Sequence, residues 1–260
     1  KIIENDLSNF DSREFDVILL FQLYPDRQSL DLKISYKKGI FVPVIDGCPP
    51  IKDIFWIEYA DFSVLNFCKY LEIGLLNDGK VRTAYFQYFP KPKEITDLGD
   101  AQKCYFWQRR GEISTGTIEK VLGKQIAAIS LNTSSDPGIR STKAASKLYK
   151  INKLNWLPNP NDLDPIIQQS KFYFAPREFE GIGQSFLNAM NLGRIVVAPD
   201  NPTMNEYIKN KKTGFLYALD LPTEISFDGV SLDTIQKNVK DYMNAGYEEW
   251  MKGIPRLIQW

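Results

Sequence analysis

Residues 171–217 read KFYFAPREFEGIGQSFLNAMNLGRIVVAPDNPTMNEYIKNKKTGFLY, and this stretch decides the fold. Phe172 to Ala175 is a short apolar run of strand-forming residues closed by Pro176, which suits a buried strand. Glu178-Phe-Glu-Gly-Ile-Gly183 follows, acidic and glycine-rich. From Gln184 to Leu192 the apolar residues Phe186, Leu187, Ala189, Met190 and Leu192 recur at helical spacing, and Gly193 stands where a helix ends. Ile195 to Ala198 is a second apolar run, closed by Pro199. Thr203 to Lys209 predicts a short helix and Gly214 to Tyr217 a third strand. Strand, glycine loop, helix and strand make one βαβ unit, the building block of a parallel sheet whose ligands sit beyond the carboxyl ends of the strands.

Working outward, the same alternation predicts an α/β protein throughout. On the N-terminal side, a buried strand is expected at Asp16 to Phe21 and further strands at Gly39 to Ile45, Phe62 to Phe67 and Val81 to Phe89, with a helix from Lys69 to Asn77 stopped near Gly79. Tyr24 to Lys38 suits a short helix or loop. Pro90-Lys-Pro-Lys-Glu is a linker signal. Beyond it, strands are expected at Lys103 to Trp107, Gln125 to Leu131 and Lys153 to Pro158. Helices are expected at Ser114 to Leu122, capped by Ser114, at Asp136 to Tyr149 and at Asn161 to Ser170. Ser231 to Lys252 is amphipathic, with Leu232, Ile235, Val239 and Met243 on one face.

Composition narrows the function classes. The chain has 260 residues, 43% of them apolar, and its 32 Lys+Arg balance 32 Asp+Glu. Zero net charge argues against a dedicated nucleic-acid binder. Histidine is absent, which removes Ser-His-Asp and Cys-His catalysis and most zinc sites. Acid–base chemistry must come from carboxylates, Lys, Tyr or a substrate phosphate. Cys48, Cys68 and Cys104 stand in no paired motif and read as free core thiols in a reducing compartment. No apolar run approaches the ~18 residues of a membrane span, and no signal peptide is visible. No Gly-x-Gly-x-x-Gly follows a strand with an acid some 20 residues later, so a dinucleotide oxidoreductase fits poorly.

Taken whole, the opening stretch resembles the donor-binding segment of retaining glycosyltransferases of the GT-B type, the glycosyl transferases group 1 family. The matching residues are Ala175-Pro176, Glu180-Gly-Ile-Gly183, Asn188-Ala-Met-Asn-Leu-Gly193, Ile195-Val-Val-Ala198, Glu206 and Gly214-Phe-Leu. The family has two glutamates separated by seven residues. Glu180 fits the first, but the second position holds Asn188. An amide offers one accepting oxygen and two donor hydrogens but no charge, so the resemblance implies an altered hold on the donor's ribose. Arg109 and Arg110 follow the strand at 103–107, and one or the other sits where the family's Arg meets the diphosphate. The family's Lys has no counterpart, since Glu112 to Thr117 contains no basic residue.

The resemblance implies two Rossmann-like parallel-sheet halves facing a cleft. Residues 1–95 would form a shortened acceptor-side domain, its first βα units having no counterpart here. Residues 96–230 would form the nucleotide-sugar donor domain, and 231–260 a helix and tail packing back on the N-terminal domain. It implies sugar transfer from a nucleotide-diphosphate donor to a polysaccharide, glycolipid or other acceptor, with retention of configuration. Glu180 would be the catalytic carboxylate. Arg109, Arg110, Gly181, Ile182, Gly183, Gln184, Ser185, Asn188 and Glu206 would bind the donor. No metal and no cofactor beyond the donor is implied. The setting would be cytoplasmic, in surface-polysaccharide, lipopolysaccharide or capsule assembly, with an acceptor that is a saccharide or lipid-linked. Trp250, Ile254, Leu257 and Trp260 would form an exposed apolar end that touches a partner or, peripherally, the inner face of the membrane.

Each of these residues has a plainer reading. The glycine loop can be a packing turn, the Arg pair solvated charge, Glu180 an acid favoured by a helix dipole, and Glu206 a solvent-facing carboxylate. The alternative function is a non-catalytic GT-B-like module that binds a nucleotide or a partner.

Overall fold

The computed structural model describes residues 14–22, 24–134, 145–154 and 162–259. The chain divides into two compact units, Lys1–Gln87 and Tyr88–Trp260. The division falls ahead of the Pro90 stretch, because residues 88–98 pack on the second unit: Ile95 lies under Gly193 and Gln168 Oε1 accepts from the backbone N–H of Thr96 at 2.8 Å.

The first unit is a parallel four-stranded sheet, with β1 (Glu14–Phe21), β2 (Ser35–Val42), β3 (Ser63–Asn66) and β4 (Arg82–Tyr85) side by side in chain order. Helices α1 (Arg27–Lys33), α2 (Phe55–Glu58) and α3 (Lys69–Asp78) connect them. Asp26 caps α1 through the Ser29 N–H at 2.9 Å, and Gly79 ends α3 in the left-handed conformation. Strands added in sequence by right-handed crossovers place every helix on one face. Accordingly Leu30, Trp56, Leu71 and Leu75 from the three helices share one core with Phe15, Ile18, Leu20, Phe41 and Val64. The expectation that β1 is buried is therefore corrected. Among the described residues it lies at the edge of the sheet, and Val17, Leu19 and Phe21 are about half exposed. Strand β2 begins four residues before the expected Gly39 because Ser35 and Tyr36 already pair with Glu14 and Phe15. Strand β4 ends at Tyr85, short of the expected Phe89.

The second unit is a parallel six-stranded sheet. Its strands are β5 (Asp100–Trp107), β6 (Ala128–Asn132), β7 (Lys150–Lys153), β8 (Ser170–Phe174), β9 (Ile195–Pro199) and β10 (Gly214–Tyr217), arranged β10-β9-β8-β5-β6-β7. Helices are α4 (Thr115–Leu122), α5 (Leu163–Gln168), α6 (Gln184–Asn191), α7 (Met204–Tyr207) and α8 (Leu232–Gln259). The chain starts mid-sheet at β5, runs out to β7, then returns to build β8 to β10 on the other side. This is the doubly wound order, and its switch point lies between β5 and β8. Every residue of β8 and β9 is buried, as apolar runs covered on both faces require.

Ser114 caps α4 with a full capping box. The helix expected at 136–149 is not seen at 145–149; residues 135–144 lie outside the described part. Ser146 Oγ accepts from Leu148 N at 3.1 Å and Tyr149 N at 2.9 Å, while Glu119 takes Lys147 N at 2.8 Å. This side-chain-held turn outcompetes a helix and delivers the chain into β7 at Lys150, earlier than the expected strand at 153–158. Residues 155–158 of that expectation lie outside the described part.

The face of α8 read from the sequence is the buried one: Ile235, Val239 and Met243 are at most 1% exposed. Gly246 sits on the Phe89 ring, and Trp250 meets Tyr88 edge-on at 5.3 Å. These contacts are all inside the second unit. Trp250 is thus partly covered; of the other residues of the expected apolar end, Ile254 is half-buried, and the Leu257 side chain and Trp260 lie outside the described part. No helix among the described residues is long and apolar enough to cross a membrane. Cys68 and Cys104 are buried, Cys48 is partly so, and all three are free thiols.

Candidate functional site

The loops that leave β5 and β8 are neighbours at the switch point, because the two strands pair in register from Cys104–Phe172 to Phe106–Phe174. After β5 the chain turns sharply, with Arg109 N donating to Trp107 O at 2.8 Å. The Arg109 guanidinium lies 5.3 Å from the Trp107 ring centroid, a cation–π contact. Trp107 is itself held by Nε1 donating to Ser134 O at 2.6 Å. Arg110 Nη1 is 3.7 Å from Glu112 Oε1.

After β8, Ala175 N donates to Val197 O at 2.9 Å and extends the strand by one residue. Arg177, Glu180, Gly181 and Gly183 are then buried, while Ile182 and Ser185 are half-buried and Gln184 is exposed. Gly183 adopts φ +80° as the residue before α6. A Cβ there would lie 2.0 Å from the Phe186 ring, so only glycine closes this turn. The Gly loop is clamped from below by the segment after β9. Thr203 Oγ1 donates to Glu180 O at 2.9 Å, and Asn201 Nδ2 to Glu178 O at 3.1 Å.

The Glu180 side chain is 6% exposed and accepts from Ser185 Oγ at 3.2 Å. Beneath it, burial pushes the Tyr173 hydroxyl well above its ordinary pKa, opposed by a hydrogen bond with Ser185. Tyr173 stacks on Tyr105 at 5.6 Å, and the Tyr105 hydroxyl accepts from Asn132 Nδ2 at 3.2 Å. A neutral polar layer of Tyr105, Tyr173, Asn132 and Ser185 thus lies under the loop that carries Glu180.

Asn188, on the second turn of α6, donates its Nδ2 to Asp164 Oδ1 at 3.1 Å. Asp164 Oδ2 pairs with Lys93 Nζ at 2.5 Å. These three line a cavity of about 300 Å³ together with Tyr88, Pro90, Gln184 and Leu187. Glu206 lies half-buried on α7, its N–H bonded to Thr203 O at 3.0 Å and its own carbonyl accepting from Lys209 Nζ at 2.9 Å.

The structure brings Arg109, Arg110 and the Gly181–Ser185 segment to one end of adjacent strands and joins Ser185 to Glu180. It turns Asn188 toward α5, and it sets Glu206 on the connection between β9 and β10. Sequence reading passed over Glu112, Arg177, Thr203, Lys93 and Asp164. Arg177 carried a signal, being the first charge after a fully buried strand. Asp164 carried another, in the acidic doublet Asp162-Leu-Asp164. Among the described residues no group of three His, Cys, Asp or Glu is placed to hold a metal ion.

Residues 140–226 match the family model "Glycosyl transferases group 1". No curated protein sequence matches the chain. Among solved structures, the chain superposes on TarM with a TM-score of 0.58 at 12% identity, covering 91% of this chain and 51% of TarM. On HepE from Anabaena in complex with UDP the TM-score is 0.62 at 12% identity, covering 94% of this chain and 79% of that one. On sucrose-phosphate synthase from Thermosynechococcus elongatus it is 0.63 at 12% identity, covering 94% and 73%. The chain thus spans about half the length of TarM and over two thirds of the other two. Two parallel-sheet α/β units, a doubly wound second sheet and these neighbours together give the chain the GT-B glycosyltransferase fold, with the sequence pattern of the glycosyl transferases group 1 family over residues 140–226.

Proposed function

We propose that this chain binds a nucleotide-diphosphate sugar at the switch point and passes the sugar to an acceptor with retention of configuration. One observation carries this reading most directly: the glycine loop entering α6 and the Arg109–Arg110 pair share the carboxyl ends of β5 and β8, where open α/β sheets bind ligands. Backbone N–H groups at the start of α6 and the guanidinium groups suit a diphosphate. Glu180 can accept from sugar hydroxyls and offset positive charge in an oxocarbenium-like transition state. The cavity beside Asn188 has the size and mixed lining of a subsite for the nucleoside. Asn188, Gln184 and Asp164 offer it polar groups, and Tyr88 and Leu187 offer apolar walls. Glu206 would act at the rim. The donor is the only small molecule this reading requires, with no metal or further cofactor.

The acceptor in this reading is a saccharide or lipid-linked saccharide of surface-polysaccharide, lipopolysaccharide or capsule assembly, handled in the cytoplasm. UDP, present in the HepE structure, is the first nucleotide to test. Thermal shift with nucleotides and UDP-sugars, followed by release of free sugar from the donor that binds, tests the proposal. A second reading, a nucleotide-binding module without transfer, is favoured by Asn188, whose amide is already engaged by Asp164. A bound donor that is never hydrolysed or transferred would select it.

A further inference from the structure

The loops at the switch point are tied together by a carboxylate. Glu112 Oε2 accepts from Arg177 Nε at 3.0 Å and from the backbone N–H of Glu178 at 3.1 Å. Its other oxygen lies 3.7 Å from Arg110 Nη1. Two guanidinium groups and a main-chain N–H converging on one group of oxygens is how proteins hold phosphate. Here the oxygens belong to the chain itself.

We propose that Arg110, Arg177 and the Glu178 N–H form a subsite for a pyrophosphate-class anion, and that Glu112 occupies it as an internal counter-anion until a ligand displaces it. The proposal deepens the reading above, since it rests on this end of the sheet taking a phosphorylated ligand.

Three features argue for displacement rather than a fixed brace. Arg177 has a side chain only 6% exposed; a charge so far out of water needs an anion at all times, so some anion must be present before ligand arrives. Glu112 is 26% exposed and regains hydration when it leaves into solvent. It follows Gly111, which faces open space, giving the loop a pivot. Exchange of one carboxylate for a diphosphate conserves the pairing of Arg177 and adds negative charge beside Arg110. No bond is made or broken: the ligand's oxygens replace those of Glu112. The consequence is a threshold. Weak or singly charged anions do not displace Glu112, and ligands with adjacent phosphates do.

Isothermal titration of the whole chain with inorganic pyrophosphate tests this. Glu112→Gln keeps an acceptor for Arg177 but removes the competing charge, and it should bind pyrophosphate at least tenfold more tightly than the wild type. Adding Arg110→Gln to that variant should reverse the gain. An unchanged or weaker affinity in folded Glu112→Gln overturns the proposal and makes Glu112 a structural brace. If Glu112→Gln does not fold, Glu112→Asp, which keeps the charge but retracts it by one methylene, replaces it, with a smaller gain expected and no gain overturning the idea. Pyrophosphate carries no base or sugar. Tightening by Glu112→Gln with no nucleotide bound by any variant would therefore sink the nucleotide-sugar reading and leave the subsite standing. Nucleotide binding indifferent to Glu112 would do the converse.

Discussion

Asn188 on α6 and Asp164 on α5 are joined by a hydrogen bond of 3.1 Å, and Lys93 closes the other side of the same carboxylate at 2.5 Å. The position where the resembling family carries a glutamate is therefore neutral here and stands beside an acid. Asn188→Glu would set two carboxylates against each other and lose a hydrogen bond to a charged group, worth about 1.5–3 kcal/mol. It should destabilise the fold to urea and weaken nucleoside diphosphate binding. The double variant Asp164→Asn/Asn188→Glu restores one acid and one amide and should recover most of both losses. A double variant no better than Asn188→Glu would show that the two positions are not coupled.

Gly183 should tolerate no side chain. The left-handed backbone alone costs an alanine about 1–2 kcal/mol, and its Cβ would meet the Phe186 ring. Gly183→Ala is expected to lower the thermal midpoint and to reduce nucleotide affinity, whereas Gly111→Ala, facing open space, should leave the midpoint nearly unchanged. Equal effects of the two changes on stability would contradict the role assigned to this turn.

Arg194 is fully buried and donates to four carbonyls: Leu192 O at 2.9 Å, Gln168 O at 2.6 Å, Ser170 O at 2.8 Å and Asp97 O at 2.6 Å. It fastens residue 97 to the amino end of β8, far along the sheet from the candidate site. Arg194→Met strands buried carbonyls at about 1–3 kcal/mol each and should cost at least about 3 kcal/mol in chemical denaturation. Arg194→Lys, which keeps the charge but not the fork of donors, should fall between. A cost under about 1 kcal/mol for Arg194→Met would refute the clamp.

Acid should loosen the turn that feeds β7. The Ser146 hydroxyl, then the N–H groups of Lys147 and Leu148, hold the Glu119 carboxyl below its ordinary pKa of 4.5. A carboxylate with a depressed folded pKa adds stability above its unfolded value and loses it as pH falls through the folded one. Stability measured from pH 7 downward should therefore decline from about this ordinary value and below, and Glu119→Gln should flatten the slope. An identical slope in both proteins would remove Glu119 from the account.

The parts of the fold legible in the sequence were those set by local chemistry. The runs of β8 and β9, the stop at Gly193, the cap at Ser114 and the buried face of α8 all follow from neighbours within a turn or two. The burial of β1 was misread because an apolar run does not say whether one face or two will be covered; that depends on strand order. The expected helix through 145–149 failed because the Ser146 hydroxyl and the distant Glu119 hold that backbone in a turn. At the site, the glycine loop and the arginines after β5 were visible from position alone. The pairs Arg177–Glu112 and Asn188–Asp164 were not, since each joins residues 65 and 24 positions apart whose meeting only the sheet topology creates.

On the proposed function, the switch point reads a diphosphate. Calorimetric titration with UDP, UMP and uridine, and with the other nucleoside diphosphates in turn, measures it directly in the wild type and in Arg110→Ala. At least one nucleoside diphosphate should bind at least tenfold more tightly than its nucleoside, and Arg110→Ala should erase most of that margin. This margin corresponds to a lost charge-assisted hydrogen bond of about 1.5–3 kcal/mol. Failure of every nucleoside diphosphate to bind, or equal affinity for diphosphate and nucleoside, would contradict the account.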